Sequence, residues 1–249
     1  MSRNRPAMNE TVLEAKDITQ ILGTGATRVH ALKEVDFALR GGELALLMGP
    51  SGSGKTTLLS VLGCMLTPTL GSVSVCGKST AGADAEELAR LRREHVGFIF
   101  QSYHLFSTLT AVENVQLALD VRGQRGNDAE LRACNALVRV GLADKLAATP
   151  RELSGGEQQR VAIARAIVSE PSAILADEPT AALDGENGRS VMNILSSLAS
   201  ESTRGVLVVG HDPRLMPFAD RIISIADGRI VDERAGGTGV PRLRAAAGS

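Results

Sequence analysis

The octapeptide Gly49-Pro50-Ser51-Gly52-Ser53-Gly54-Lys55-Thr56 constrains this chain more than any other stretch of it. Its spacing is G-x-x-x-x-G-K-[ST], in which glycines let the backbone curl until successive N–H groups point inward at phosphate oxygens. The run before it, Leu44-Ala45-Leu46-Leu47-Met48, is continuously apolar, as in a strand buried on both faces of a sheet. After it, Thr56 to about Leu66 reads as a helix, whose positive end adds to the anion site. In this setting Lys55 neutralises the β- and γ-phosphates of a nucleotide, the Thr56 hydroxyl can ligate Mg²⁺, and Thr57 follows in the same turn. The plain alternative is a glycine-rich turn with a solvated lysine, which the flanking strand and helix disfavour. Alone, the loop leaves kinases, GTPases and motor ATPases open.

The rest of the chain alternates strand and helix patterns. Val35, Phe37 and Leu39 alternate with Asp36 and Ala38, giving one inward face, and Gly41-Gly42 punctuates. Later come a helix at about 157–169, a strand through Ala173–Ala176, a helix at about 185–200 and a strand through Val206–Val209. Ile222–Ala226 and Arg229–Asp232 flank Asp227-Gly228, a two-residue hairpin signal. Between about 84 and 159 the texture is helix-rich and interrupts the strands. Asp84 and Glu87 cap a helix carrying Leu88 and Leu91, and Asp128 starts another with Leu131, Cys134 and Val138 on one face and Gly141 near its end. These patterns predict an α/β fold: a P-loop NTPase core with a mainly parallel sheet, an N-terminal antiparallel β subdomain and an inserted α-helical subdomain. The expected core segments are 11–83 and 160–233, the insertion is about 84–159, and 1–10 and 234–249 are flexible tails.

Composition narrows the partners. The 249 residues include 27 basic and 28 acidic ones, a net charge of -1, which argues against a general grip on nucleic acid. No apolar run approaches the roughly 18–20 residues that span a bilayer. Met1–Pro6 leads into no apolar stretch of a secretory signal. The expectation is a soluble, cytoplasmic protein that reaches a membrane only through a partner. Cys64, Cys76 and Cys134 are scattered and read as reduced structural thiols without metal spacing.

Two further segments carry chemistry. Ile174-Leu175-Ala176-Asp177-Glu178 is an apolar strand ending in two acids. Asp177 is placed to hold Mg²⁺ through water near Thr56, and Glu178 to polarise an attacking water as general base; a solvated strand end is the plain alternative. Leu153-Ser154-Gly155-Gly156-Glu157-Gln158-Gln159-Arg160 sets a serine and two glycines at a helix start, a second anion-binding nest. Ser154 as an ordinary N-cap explains part of this octapeptide but not the whole. A second γ-phosphate surface in a chain with one nucleotide loop makes sense if two chains pair head to tail, each loop facing the other's nest.

In order and spacing, these segments resemble the nucleotide-binding subunits of ABC transporters over about residues 11–232. Gly49–Thr56 matches Walker A, Leu153–Gln158 the family signature and Ile174–Glu178 Walker B. Gln101, after Phe98-Ile99-Phe100, matches the Q-loop, Leu183-Asp184 the D-loop, and His211 the switch histidine. The resemblance implies that Gln101 touches Mg²⁺ and the attacking water and that His211 contacts the γ-phosphate. It implies that Ser154, Gly155 and Gly156 face the ATP of a second, identical subunit and that Asp184 crosses the dimer interface. It also implies ATP and Mg²⁺ as ligands, a transmembrane permease as partner, no nucleic acid, and a peripheral place at the inner face of the cell membrane.

Finer segments, among them Leu62-Gly63-Cys64, Val96–Gln101, Thr110–Val115 and Ala176–Thr180, resemble the macrolide-efflux and lipoprotein-release subgroup. Ser102-Tyr103-His104-Leu105-Phe106 follows Gln101, where the family meets its membrane partner. Two positions depart from the family pattern. Leu22 stands where an aromatic residue usually stacks on adenine, so ATP and GTP should be poorly discriminated. Gly210 replaces the more usual threonine before His211, with little consequence expected. ABC proteins that act on nucleic acid carry long coiled coils or two cassettes, and this chain has neither. A scaffold with decayed catalysis is disfavoured by the presence of Glu178, Gln101 and His211.

Overall fold

In a computed structural model, residues 9–200 and 203–237 are described; most of the expected tails, 1–8 and 238–249, lie outside them. Strands that bury one face build the first sheet. In β1 (Thr11–Leu22) and β2 (Val29–Arg40) buried and exposed positions alternate, and the two pair antiparallel with Ala15 opposite Phe37. β4 (Leu70–Val75) and β5 (Lys78–Ser79) complete a four-stranded antiparallel sheet in the order β2-β1-β4-β5. Val35, Phe37 and Leu39 are buried as their alternation predicts, and the Arg221 guanidinium sits 5.5 Å from the Phe37 ring centre.

Strands buried on both faces build the second. β3 (Leu44–Met48), β6 (Val96–Ile99), β7 (Ala173–Asp177), β8 (Gly205–Gly210) and β9 (Arg221–Ala226) run parallel, with β10 (Arg229–Ala235) antiparallel at the edge, in the order β10-β9-β3-β8-β7-β6. Their continuous apolar runs divide with period two. Leu44, Leu46, Ile174, Ala176, Val206 and Val208 enter one core, and Ala45, Leu47, Ala173, Leu175, Leu207 and Val209 enter the other. Full burial of each Leu, Ile or Val contributes roughly 1.5–3 kcal/mol, which makes this sheet the rigid frame of the molecule.

Helix α1 (Lys55–Leu62) lies between the two sheets, touching β1 and β2 on one side and β7 and β8 on the other. It stops short of the expected Leu66. A Cβ on Gly63 would collide with the Phe98 ring, and Cys64 turns to φ 55, so the chain leaves the helix there. The core that holds Leu44, Leu46 and Ile174 is covered by α5 (Gly155–Ile167) and α6 (Gly185–Ser200).

Within the helix-rich stretch 84–159, β6 pairs with β7 and so belongs to the central sheet. Asp84 caps α2 (Ala85–His95) by accepting the Glu87 N–H at 2.8 Å. α3 (Ala111–Asp120) starts at a capping box of Thr110 and Glu113, and α4 (Asn127–Arg139) packs on α3 and α5. The expected face of α4 is corrected. Leu131 and Val138 are 61% and 52% exposed, whereas Ala129, Ala133, Ala136 and Leu137 are buried. A row of alanines lets α4 approach its neighbours closely, so the bulkier apolar residues face out. Gly141, at φ 75, ends the helix as expected, and the Leu142 N–H returns to the Leu137 carbonyl at 3.0 Å. Among the described residues no helix is long and apolar enough to cross a membrane.

Candidate functional site

Sheet register alone brings the sequence motifs to one rim. β3, β8 and β7 are neighbours, Met48 pairs with Gly210, and Asp177 pairs with Val209. Gly49, His211 and Glu178 therefore leave the sheet side by side at the carboxyl ends of parallel strands, where α/β sheets bind ligands. A cleft of about 850 Å³ opens there, and Ser51, Gly52, Gly54, Lys55, Thr56, Thr57, Glu178 and His211 all line it.

The loop is shaped by backbone. Gly54 is the N-cap of α1 at φ 104, and a Cβ there would stand 2.5 Å from the Ala31 carbonyl oxygen, so glycine is required. No side chain caps this helix, which leaves its first N–H groups directed into the loop. The Lys55 ammonium, on a residue only 7% exposed, donates to the carbonyls of Gly49 at 2.9 Å and Pro50 at 2.7 Å. The loop is braced from outside by the β9–β10 turn, Asp227-Gly228, whose residues have φ 47 and 77. The Gly228 N–H donates to the Ser53 carbonyl at 3.1 Å, and the Gly228 carbonyl accepts the Lys33 N–H at 2.8 Å.

The acids stand across from it. The Thr56 hydroxyl is 3.5 Å from Asp177 Oδ1. Two oxygens so placed at the edge of a phosphate loop are the donor set a hard divalent cation takes, so these residues fit Mg²⁺. Burial raises the Asp177 pKa, with Glu178 adding to the rise and the Thr56 hydrogen bond and Lys55 opposing it. A folded pKa above the unfolded value means that stability is lost as pH rises through it. Asp177→Asn is therefore expected to raise the thermal midpoint of the nucleotide-free protein at about pH 7, with a gain that shrinks toward about pH 4. Melting curves at both pH values check this; an unchanged or lowered midpoint at neutral pH would count against it.

Glu178 is a non-glycine residue at φ 46, a conformation that costs about 1–3 kcal/mol and recurs at functional sites. Its N–H donates to the Val209 carbonyl at 2.9 Å, and His211 Nδ1 lies 3.1 Å from its Oε1. The general-base candidate is thus held by the end of β8.

Other motif residues lie outside the cleft. Gln101 is exposed just past β6, and Asp177 meets the cleft through Thr56. Ser154 caps α5, accepting the Glu157 N–H at 3.3 Å, while Glu157 accepts the Ser154 N–H at 2.8 Å. That bond to the backbone holds the Glu157 carboxyl below its usual range. A hydrogen bond from the Ser154 side chain lowers it further. Asp184 caps α6 through the N–H groups of Glu186 and Asn187 and accepts Asn187 Nδ2 at 2.7 Å. A Cβ on Gly156 would collide with Asn187, so the Ser154–Gly156 and Asp184 segments touch within one chain. Gln159, fully buried, donates to the Pro179 carbonyl at 2.9 Å and ties α5 to the turn after Glu178.

Sequence reasoning misses Val29 and His30 as cleft residues. They arrive by strand register, Leu22 opposite Val29 and Ile21 opposite His30, across irregular pairing that no local motif announces. Leu22 and Val29, 41% and 61% exposed, give the cleft an aliphatic end.

Residues 32–181 match the family model described as ABC transporter. The macrolide export ATP-binding/permease protein MacB of Bradyrhizobium diazoefficiens is 44% identical over 227 residues, 91% of this chain and 35% of its own length. The protein of that name from Shewanella is 43% identical over 228 residues, again 91% of this chain and 35% of its own. The chain therefore spans about a third of the length of these curated relatives. Among solved structures, a dimeric ATP-binding cassette in a post-hydrolysis state, bound to ADP and Pi, superposes with a TM-score of 0.82 at 40% identity, covering 90% of this chain and 98% of that one.

Proposed function

Because this chain belongs to the ABC transporter family, we propose that it is an ATPase cassette that works as a head-to-tail homodimer and drives a membrane permease. The observation that carries this is the convergence of Lys55, Thr56, Glu178 and His211 on one cleft at the ends of adjacent strands. The solved relative in its dimeric, post-hydrolysis form supports the dimer. The relatives that join cassette and permease in one chain support the membrane partner.

In this proposal the N–H groups of Gly49–Thr56 cradle the β- and γ-phosphates, and the Lys55 ammonium exchanges the Gly49 and Pro50 carbonyls for phosphate oxygens. Thr56, Asp177 and Gln101 would hold Mg²⁺, which when bound neutralises charge on the phosphates. Glu178 accepts the proton of the attacking water, and His211 holds that carboxylate while facing the γ-phosphate. Ser154, Gly155 and Gly156 of the second protomer close the site, and Asp184 lies at the shared interface. The cassette acts at the inner face of the cell membrane through its permease.

Purified from membranes, the chain is expected to bring one multispanning membrane protein with it and to release phosphate from ATP in a Mg²⁺-dependent way. Capture of no membrane protein would sink the permease assignment. In the same assay ATP and GTP at subsaturating concentration should be hydrolysed at comparable rates. The aliphatic Leu22–Val29 end offers the base apolar contact in place of aromatic stacking, forgoing about 1 kcal/mol. A strong preference for ATP would contradict this.

A further inference from the structure

One polar side chain is buried where α5 is otherwise apolar. Gln159 lies about one turn beyond Ser154, is 0% exposed, and is followed by the buried Val161, Ala162, Ile163 and Ala164. Its Nε2 donates to the Pro179 carbonyl at 2.9 Å, whereas its Oε1 finds no partner among the described residues. An amide oxygen withdrawn from water and left unpaired opposes folding. Gln159 thus satisfies one buried oxygen, that of Pro179, and strands another, its own. Core stability does not account for a glutamine here, and the placement of Pro179 does.

The bond acts on a turn that is hard to hold. Pro179 directly follows Glu178, and a residue before proline is driven toward extended backbone. Glu178 stands instead at φ 46, a conformation that persists only where the surroundings impose it. From one side the end of β8 imposes it, because the Val209 carbonyl accepts the Glu178 N–H at 2.9 Å and His211 Nδ1 meets the carboxylate at 3.1 Å. From the other side comes Gln159. A carbonyl can only accept, and the fixed φ of proline passes the restraint back to the peptide of Glu178.

We propose that Gln159 is a positioning residue: by anchoring the Pro179 carbonyl to α5, it sets the Glu178 carboxylate of its own protomer for proton transfer. The proposal rests on the reading of the chain as a dimeric ATPase and deepens it. In the head-to-tail dimer α5 then has two duties in two sites. Ser154–Gly156 at its start face the ATP of the partner. Gln159, about one turn on, fixes the base that acts on the protomer's own ATP.

Gln159→Met keeps an unbranched side chain and removes the donor. It exchanges one unpaired oxygen for another, so the melting midpoint should stay within about 4 °C of the parent. Its kcat should fall about ten- to a hundred-fold, with KM for ATP within about two-fold. Gln159→Glu can donate to Pro179 only as the neutral acid, so its kcat relative to the parent should climb as pH falls from about 8 to about 6. A parental kcat in the Met variant overturns the proposal. So does a loss of kcat that comes with a raised KM and a midpoint lowered beyond that range, or a Glu variant whose ratio to the parent is flat with pH. Mixing shows which site the residue serves. With Lys55→Ala, Gln159→Met should give no more than the mean of the two separate activities, because its misplaced base sits beside the one intact loop. Recovery above that mean would move the role to the partner's site and overturn the proposal. Ser154→Arg with Lys55→Ala is the control. Its failure to recover removes the head-to-tail reading, and the kcat and pH readouts then decide the role of Gln159. Absence of Mg²⁺-dependent hydrolysis in the parent removes the ATPase reading itself.

Discussion

Replacing Glu178 by glutamine is expected to lower the rate of ATP hydrolysis by about 10²–10⁴-fold while leaving ATP binding intact. Glutamine keeps the volume of the side chain and can still accept from His211 Nδ1, now 3.1 Å from Oε1. What it loses is the ability to take a proton from water. ATP bound between two protomers would then outlive the encounter, and the variant should run as a dimer in ATP and as a monomer without it. Size-exclusion chromatography with light scattering, beside a phosphate-release assay, checks both halves. Hydrolysis at the parental rate would remove Glu178 from the role of base.

A mixture of two inactive variants should regain activity. Lys55→Ala removes the cation that Gly49 and Pro50 now hold inside the loop, and with it the charge-assisted bonds to phosphate, each worth about 1.5–3 kcal/mol. Ser154→Arg blocks the nest at the start of α5. In a head-to-tail dimer of one of each, one site combines both lesions and the other combines an intact loop with an intact nest. Random pairing of equal amounts then restores about a quarter of the parental hydrolysis. If each chain used its own loop and its own nest, every site would carry a lesion and the mixture would stay inactive.

Much of this site is legible in sequence because its physics is local. A phosphate loop needs glycines at fixed spacings, and Gly54 at φ 104 is one position where no other residue fits. The buried strands announce themselves because parallel strands covered on both faces are apolar at every position, as in Leu44–Leu47 and Val206–Val209. What stays hidden depends on the far side of a contact. The inner face of α4 is made of alanines, so ranking residues by size points to Leu131 and Val138, which are exposed. β6 has four residues inside a helix-rich stretch, and only its pairing with β7 makes it a core strand. Val29 and His30 reach the cleft through an irregular β1–β2 register. The start of α3 is the opposite case, since Thr110 and Glu113 stand at capping-box spacing and mark the helix in sequence.

The turn at Asp227-Gly228 has a consequence for how the protein comes into being. The ribosome makes the phosphate loop early, but the backbone that clamps Ser53 and Lys33 in place comes from Gly228. The strand that leads into His211, β8, also joins β3 only after most of the chain has been made. Because domains fold as units while chains emerge from their N-terminal end, a nascent cassette displays its nucleotide motif long before it owns a nucleotide site. The complete cleft therefore exists only once β8 and β9 have joined β3 and the turn after β9 has reached the loop.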